Sequence, residues 1–169
     1  MKIRIASVED AEYTLSIKQE IILSTSFFVS SPSEISSNFK KEKQRIEDSV
    51  EKGGVTLIAE IDNAIVGFLS FSRNTMERLH HVGSFGMGIK KEFCNYGIGT
   101  KMLSYLINWA KAQKGLEKIC LGVLSNNKRA IHVYKKLGFQ EEGGQIKQIK
   151  FENGEYADDI LMALHLKEI

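Results

Sequence analysis

Between His81 and Leu124 the hydrophobic period changes twice. "HVGSFGMGI", ending at Ile89, reads as a strand. Behind it a helical pattern puts Met102, Leu103, Leu106, Ile107 and Ala110 on one face, and Gly115 ends that helix. "KICLGVL" then returns as a short apolar run of the type found in a covered strand. A strand, helix, strand succession needs a crossover, and a crossover predicts parallel pairing. This unit constrains the chain to a mixed α/β domain.

The flanking text supplies hairpins and helices around that unit. "KIRIA" alternates as a first strand. Ser7 and Asp10 form a near capping box that opens a helix, with Ala11, Leu15 and Ile22 as its expected buried members. At "SPSE", Ser31 suits an N-cap, Pro32 the first helical position and Glu34 the return bond. The helix predicted from there presents Ile35, Phe39, Ile46 and Val50 on one face and stops at "EKGG". "VTLIAEI" and "AIVGFLSFS" are joined by Asp62-Asn63, a two-residue hairpin signal. "NNKRAIHVYKKLGF" reads as a helix ended by Gly138, with Lys135 and Lys136 in its last turn, where cations suit the dipole. "QIKQIKFENGEYADDILMALHL" forms a hairpin about Asn153-Gly154. With no repeats and one proline, residues 1–169 read as a single domain.

Composition excludes several classes of function. A formal charge of +2 favours no particular partner, and the densest basic run, "KKEKQR", is interrupted by Glu42 and Gln44. No nucleic-acid partner is expected. No apolar stretch approaches the ~20 residues of a membrane span, and the charged, alternating start is unlike a signal peptide. Cys94 and Cys120 form no metal spacing, and the four histidines include no H-E-x-x-H. A reduced, cytoplasmic setting and no metal are the expectation.

The loop "EFCNYGIGTKML" has the look of an anion site. A Walker A loop would end Gly-Lys-Ser/Thr, whereas here the order is Gly99-Thr100-Lys101. A dinucleotide fingerprint needs a third glycine where Met102 stands, and an acid closing the next strand. What remains is general: a strand delivers the chain to a turn opened by Gly97 and Gly99, and the first helix amides converge on one spot. A diphosphate is the natural guest. A plain tight strand-to-helix turn satisfies the same residues.

A second segment, "SNNKRAIHVYKKLGF", narrows the reading. Taken together, "YGIGTKML" and "NKRA…YKKLGF" resemble the GNAT superfamily of acetyl-CoA-dependent N-acetyltransferases, matching its R/Q-x-x-G-x-G/A loop and its N-x-x-A…Y-x-K-x-G-F segment. "HHVGSFGMGIKKEF" resembles the family's fourth strand, with Ile89 at a usual valine position. The resemblance implies a mostly antiparallel mixed sheet of about seven strands, with a splayed parallel pair and four flanking helices. It implies acetyl-CoA as cosubstrate, paired to the backbone of Met87, Gly88 and Ile89, with its pyrophosphate on the amides of Asn95, Tyr96, Gly97, Ile98, Gly99 and Thr100. Asn127 and Ala130 would contact the cofactor arm, and Asn126 or Asn127 caps the helix. The family's arginine or glutamine falls on Cys94, and its frequent first glycine on Asn95. Backbone amides carry most of an anion's binding in such a loop, so the substitution is expected to weaken affinity without abolishing it.

The chemistry implied is attack of a neutral amine on a thioester, which calls for a proton acceptor, carbonyl polarisation and a proton for the leaving thiolate. Tyr134 matches the family's general acid, and a packed helix aromatic is the alternative. Glu60, His81 and Asp158 stand as candidate bases, directly or through water. Asp158 is also a candidate acceptor-binding residue with the other acids of the C-terminal hairpin. The hairpin text resembles a subgroup that includes polyamine, small-amine and ribosomal-protein acetyltransferases. A small-molecule or peptide amine is the implied acceptor, and a homodimer one assembly consistent with the family. A non-catalytic acyl-CoA sensor on the same scaffold remains the alternative, followed by a mononucleotide-binding module.

Overall fold

A computed structural model describes residues 1–35 and 37–167. Among these residues seven strands form one sheet: β1 (Lys2–Ile5), β2 (Val55–Ile61), β3 (Ala64–Arg73), β4 (Val82–Ile89), β5 (Lys118–Leu124), β6 (Gln140–Lys150) and β7 (Tyr156–His165). Their spatial order is β1-β2-β3-β4-β5-β7-β6. Every neighbouring pair is antiparallel except β4 and β5. Four α-helices accompany the sheet: α1 (Ala11–Ser24), α2 (Phe39–Glu51), α3 (Ile98–Lys111) and α4 (Lys128–Lys136).

The predicted parallel pair is present, and it is short. Val82, Gly83 and Ser84 pair with Lys118, Ile119 and Cys120, and beyond them the two strands part. Asp62 and Asn63 both adopt left-handed φ (50° and 64°), as a tight hairpin turn between β2 and β3 requires.

Side-chain alternation gives the sheet two covered faces. On one, Leu57, Leu69, Phe71, Phe85, Ile119 and Leu121 pack with Ile98, Met102, Leu103, Leu106 and Ala110 of α3 and Tyr134 of α4. On the other, Phe68 packs with Ile17 and Ile21 of α1 and with Phe28 beyond it. α1 lies against β3 and β4, and α2 against β2.

The N-terminal helices depart from the expected pattern. Ser7 and Asp10 do bond, the Ser7 N–H donating to Asp10 Oδ2 at 2.7 Å, but the residues that α1 buries are Ala11, Thr14, Ile17 and Ile21. Leu15 and Ile22 are only half-buried. The Ser31–Glu34 box also forms, yet it caps a single turn, Pro32–Glu34. α2 starts afresh at Phe39, where the Asn38 side chain accepts from the Lys41 N–H at 3.1 Å. A serine and asparagine run offers the backbone such side-chain bonds in place of continued helix. Phe39 and Val50 are exposed, and α2 turns Glu42 and Ile46 inward. Glu42 is drawn in by Lys18 of α1, whose Nζ lies 2.6 Å from Oε1, and by Arg45 at 2.9 Å. A paired buried charge therefore sets the helix face, in place of the apolar spacing.

Candidate active site

The parting of β4 and β5 opens a cavity of about 520 Å³. Its walls come from Met87–Ile89 of β4, the turn into α3, the first turns of α3 and α4, and the end of α1 with residues 24–28 beyond it.

β4 offers the cavity an unpaired edge. The Lys90 N–H donates to Val66 O, and Val82 O accepts from Asn74 N–H, so even-numbered residues turn their peptide groups to β3. By alternation Met87 and Ile89 turn theirs the other way, toward β5, beyond the last pair at Ser84. An extended amide chain can pair with this edge as an added strand would. Gly88 lines the cavity too, but its carbonyl faces Gly67.

The glycine turn completes an anion cradle. Asn95 and Gly97 both have left-handed φ, 70° and 76°, and α3 begins at Ile98. A residue in this conformation next to a right-handed one turns successive N–H groups toward one point. The leading amides of α3 have no intrahelical acceptor and lie at the positive end of its dipole. A Cβ on Gly97 would meet nothing within 4 Å, so open space lies where a side chain would otherwise intrude. Gly99 acts through packing instead. A Cβ there would lie 3.3 Å from Ile89 Cδ1, so its absence lets α3 close onto β4. Tyr96 contributes no lining side chain and is 72% exposed.

Two cations at the cavity, Lys91 and Arg129, were not singled out from the sequence. Their positions, just after β4 and in the first turn of α4 behind Asn127, are the signal that could have found them. Residues 24–28, with Phe27 and Phe28, were also missed, because an irregular segment carries no periodic mark. Cys94 lines the cavity, its Sγ turned back to Lys90 O at 3.6 Å and Ile89 O at 3.9 Å. Asn127 caps α4, its Oδ1 accepting from Ala130 N–H at 3.2 Å, and it lines the cavity beside Ala130.

Tyr134 reaches the cavity from α4 with only 8% of its surface exposed. Phe85 and Phe139 hold the ring, each with its centroid 5.9 Å away. Burial pushes the phenol up to about 12, and the hydroxyl has no hydrogen-bond partner among the described residues. It is a protonated group without an internal acceptor, beside an open space.

The three proposed bases lie elsewhere. Glu60 accepts from Arg4 Nε and Nη2 at 3.0 and 2.7 Å, and Arg4 also grips Asp10 at 2.7 Å. His81 is exposed, and its backbone carbonyl accepts from the Glu117 and Lys118 N–H groups. Asp158 Oδ1 accepts from the Lys147 N–H at 2.7 Å, and its own N–H donates to Ser125 Oγ. None of the three lines the cavity, and among the described lining residues none is acidic. No group of three or more His, Cys, Asp or Glu that could hold a metal occurs among the described residues.

Comparison with known proteins agrees with this geometry. The acetyltransferase (GNAT) family model matches residues 21–139. An L-amino acid N-acetyltransferase of Escherichia coli (strain K12) is 35% identical over 107 residues, which span 63% of this chain and 65% of that one. The crystal structure of a GNAT-family acetyltransferase from Streptococcus pneumoniae superposes with a TM-score of 0.93 at 26% identity, covering 98% of this chain and 99% of the other. A phosphinothricin acetyltransferase from Sinorhizobium meliloti, crystallised with acetyl-CoA, shares the fold with a TM-score of 0.88 at 18% identity, covering 99% and 89%. An unpaired strand edge, an amide cradle and a buried tyrosine around one cavity suit acetyl-CoA, and the chain belongs to the acetyltransferase (GNAT) family.

Proposed function

We propose that the chain transfers an acetyl group from acetyl-CoA directly to a primary amine of a small molecule or peptide. The observation that carries this reading is the convergence of the free β4 edge and the amide cradle on one cavity at the strand splay. When bound, the cosubstrate supplies an activated acyl group as a thioester. The peptide groups of Met87 and Ile89 orient its amide arm, and the amides of Asn95–Thr100 hold its diphosphate, with Lys91 and Arg129 adding positive charge. Asn127 fixes the start of α4, which carries Tyr134 to the cavity. Tyr134 then acts as general acid, donating its hydroxyl proton to the departing sulfur. Homology to an amino acid acetyltransferase supports an amine acceptor.

The test is calorimetric titration with CoA and acetyl-CoA, followed by thiol release over a panel of L-amino acids, polyamines and peptides. Micromolar binding and turnover of an amine are expected. No affinity for either form of CoA would sink the reading, and binding without turnover on any amine would favour an acyl-CoA sensor.

A further inference from the structure

The cavity holds a place for the acyl donor but, among its described lining residues, no carboxylate to receive an amine. The α1 face of the splay, which shares Ile21 and Phe28 with the cavity wall, has one outside that lining. Pairing of β4 with β5 ends at Ser84 and Cys120, so Gly86 and Gly122, two residues on, are the next positions on that face of the two strands. A Cβ at Gly88, on the same face as Gly86, would run into Ile21 and Phe28, which identifies this as the α1 face. A Cβ at Gly86 would meet nothing within 4 Å. At Gly122 the nearest atoms all belong to one side chain, Asp159, with Oδ1 at 2.8 Å and Oδ2 at 3.3 Å. Two residues without side chains therefore flank the splay, and a carboxylate lies over one of them.

Register explains why this acid is Asp159. Leu124 pairs with Asp159 and Gly122 with Leu161, so these four residues share the α1 face. Asp158 faces the other way and is occupied by the Lys147 N–H. The Asp159 carboxylate has no hydrogen bond or ion pair among the described residues. The other charged or titratable groups of this face on β5, β6 and β7 are Lys118, Cys120, Glu142 and His165, and they cluster at its far end. There Lys118 and His165 turn to Glu142. From the helices on this side, Lys18 and Arg45 are taken by Glu42, and Glu20 by Lys90. Ser84, Gly86, Gly122 and Leu161 are exposed, so the approach is open.

Resting on the proposed acetyl transfer, we propose that Asp159 receives the acceptor's amine, which enters from the α1 face between Gly86 and Gly122. The substrate class is an aliphatic amine that is an ammonium ion at neutral pH. Asp159 binds the ammonium and takes one of its protons. The freed nitrogen lone pair forms the C–N bond to the thioester carbonyl carbon, and the C–S bond breaks with its electron pair on sulfur. The nitrogen's second proton leaves to solvent, and solvent returns one to the Tyr134 oxygen in place of the proton it gave to the thiolate. The proton on Asp159 leaves to solvent, so amide, thiol and one proton are the products. Burial is the cause that raises the Asp159 carboxyl above its ordinary value, as suits a proton acceptor.

The experiment pairs Asp159→Asn with the pH profile of kcat/KM for the best amine of the panel. About a hundredfold loss of kcat/KM is expected, with the acid limb abolished and acetyl-CoA affinity within about twofold of the parent. Glu142→Gln, on the same face, is expected to keep the limb. An Asp159→Asn enzyme with kcat/KM within about threefold of the parent and an intact limb overturns the proposal, as does loss of the limb in Glu142→Gln. A second measurement needs neither variant nor turnover: the carbon-detected carboxyl titration of Asp159 in the CoA-bound protein, with and without ethylamine. A downward move of its midpoint on adding amine is expected, and an unmoved midpoint overturns the assignment. Absence of CoA binding by the unaltered protein would instead strike the acetyl-transfer reading.

Discussion

Replacing Tyr134 by phenylalanine separates its chemical role from its packing. The ring stays among Phe85, edge to face, and Phe139, tilted, at centroid distances near 5.9 Å, so no cavity forms. The hydroxyl has no partner among the described residues, so removing it breaks no internal hydrogen bond. Stability is therefore expected to change by less than about 0.5 kcal/mol. Tyr134→Ala, by contrast, empties a site that is 8% exposed and should cost about 3–5 kcal/mol. Turnover is the other half. Loss of a positioned general acid lowers rates by roughly 10²–10⁴, and burial makes this phenol a weak acid, which places the effect near the lower end. About a hundredfold in kcat corresponds to about 2.7 kcal/mol of barrier. Since the phenol titrates at about 12, it stays protonated through the working range, and the ratio of the two rates should be flat from about pH 6 to 10. Thermal unfolding, acetyl-CoA calorimetry and thiol release on the same preparations give the three readouts. An unchanged kcat across that range would remove Tyr134 from the mechanism, and a fall in acetyl-CoA affinity matching the fall in rate would recast it as a binding residue.

Other perturbations probe the cradle and the fold. Gly97→Ala forces a side chain into φ +76° and should cost about 1–2 kcal/mol, while its Cβ enters the open space proposed for the diphosphate. Melting should fall by about 2–4 °C per kcal/mol, and the acetyl-CoA Kd, read by calorimetry, should rise at least about tenfold. Asp10, hydrogen-bonded by Arg4, is lowered from 3.8 to about 2, so its ionised form stabilises the fold above about pH 4 and that contribution fades as pH falls toward 2. Asp10→Asn should lose about 2 kcal/mol at neutral pH in urea titration, and the gap to the parent should narrow from pH 4 downward. Cys94 lines the cavity, so alkylation by iodoacetamide, followed by peptide mass spectrometry, should slow when acetyl-CoA is present. Cys120, on the open α1 face, should show no such protection.

What the sequence disclosed was local. The crossover between β4 and β5, the hairpin turns, the Gly97 turn and the Asn127 cap depend on residues close in the chain, and each stands where its spacing placed it. What it concealed was pairing at a distance. The inward face of α2 follows from Lys18, 24 residues before its partner Glu42, so apolar spacing alone favoured Val50. The choice between Asp158 and Asp159 turns on the register of β7 against β5, where one step sends a side chain to the other face of the sheet. Glu60 likewise reads as a free strand-end acid until Arg4, 56 residues earlier, is brought beside it.

The same distinction accounts for Cys94. On the proposed cosubstrate side the groups offered to a ligand are largely peptide N–H and C=O: the β4 edge, the Asn95–Thr100 amides and the α3 dipole. Their placement depends on φ values at Asn95 and Gly97 and on the closeness that Gly99 permits. A side chain at position 94 adds to such a site without building it, and Lys91 and Arg129 already bring two positive charges to the cavity. An arginine or glutamine can thus give way to a thiol that folds back on the β4 carbonyls. On the acceptor side the order reverses. Gly86 and Gly122 clear the path, and recognition falls to the side chains around it. A substitution at Asp159 should therefore alter which amine reacts far more than the affinity for acetyl-CoA, whereas a distortion of the Gly97 turn should do the opposite.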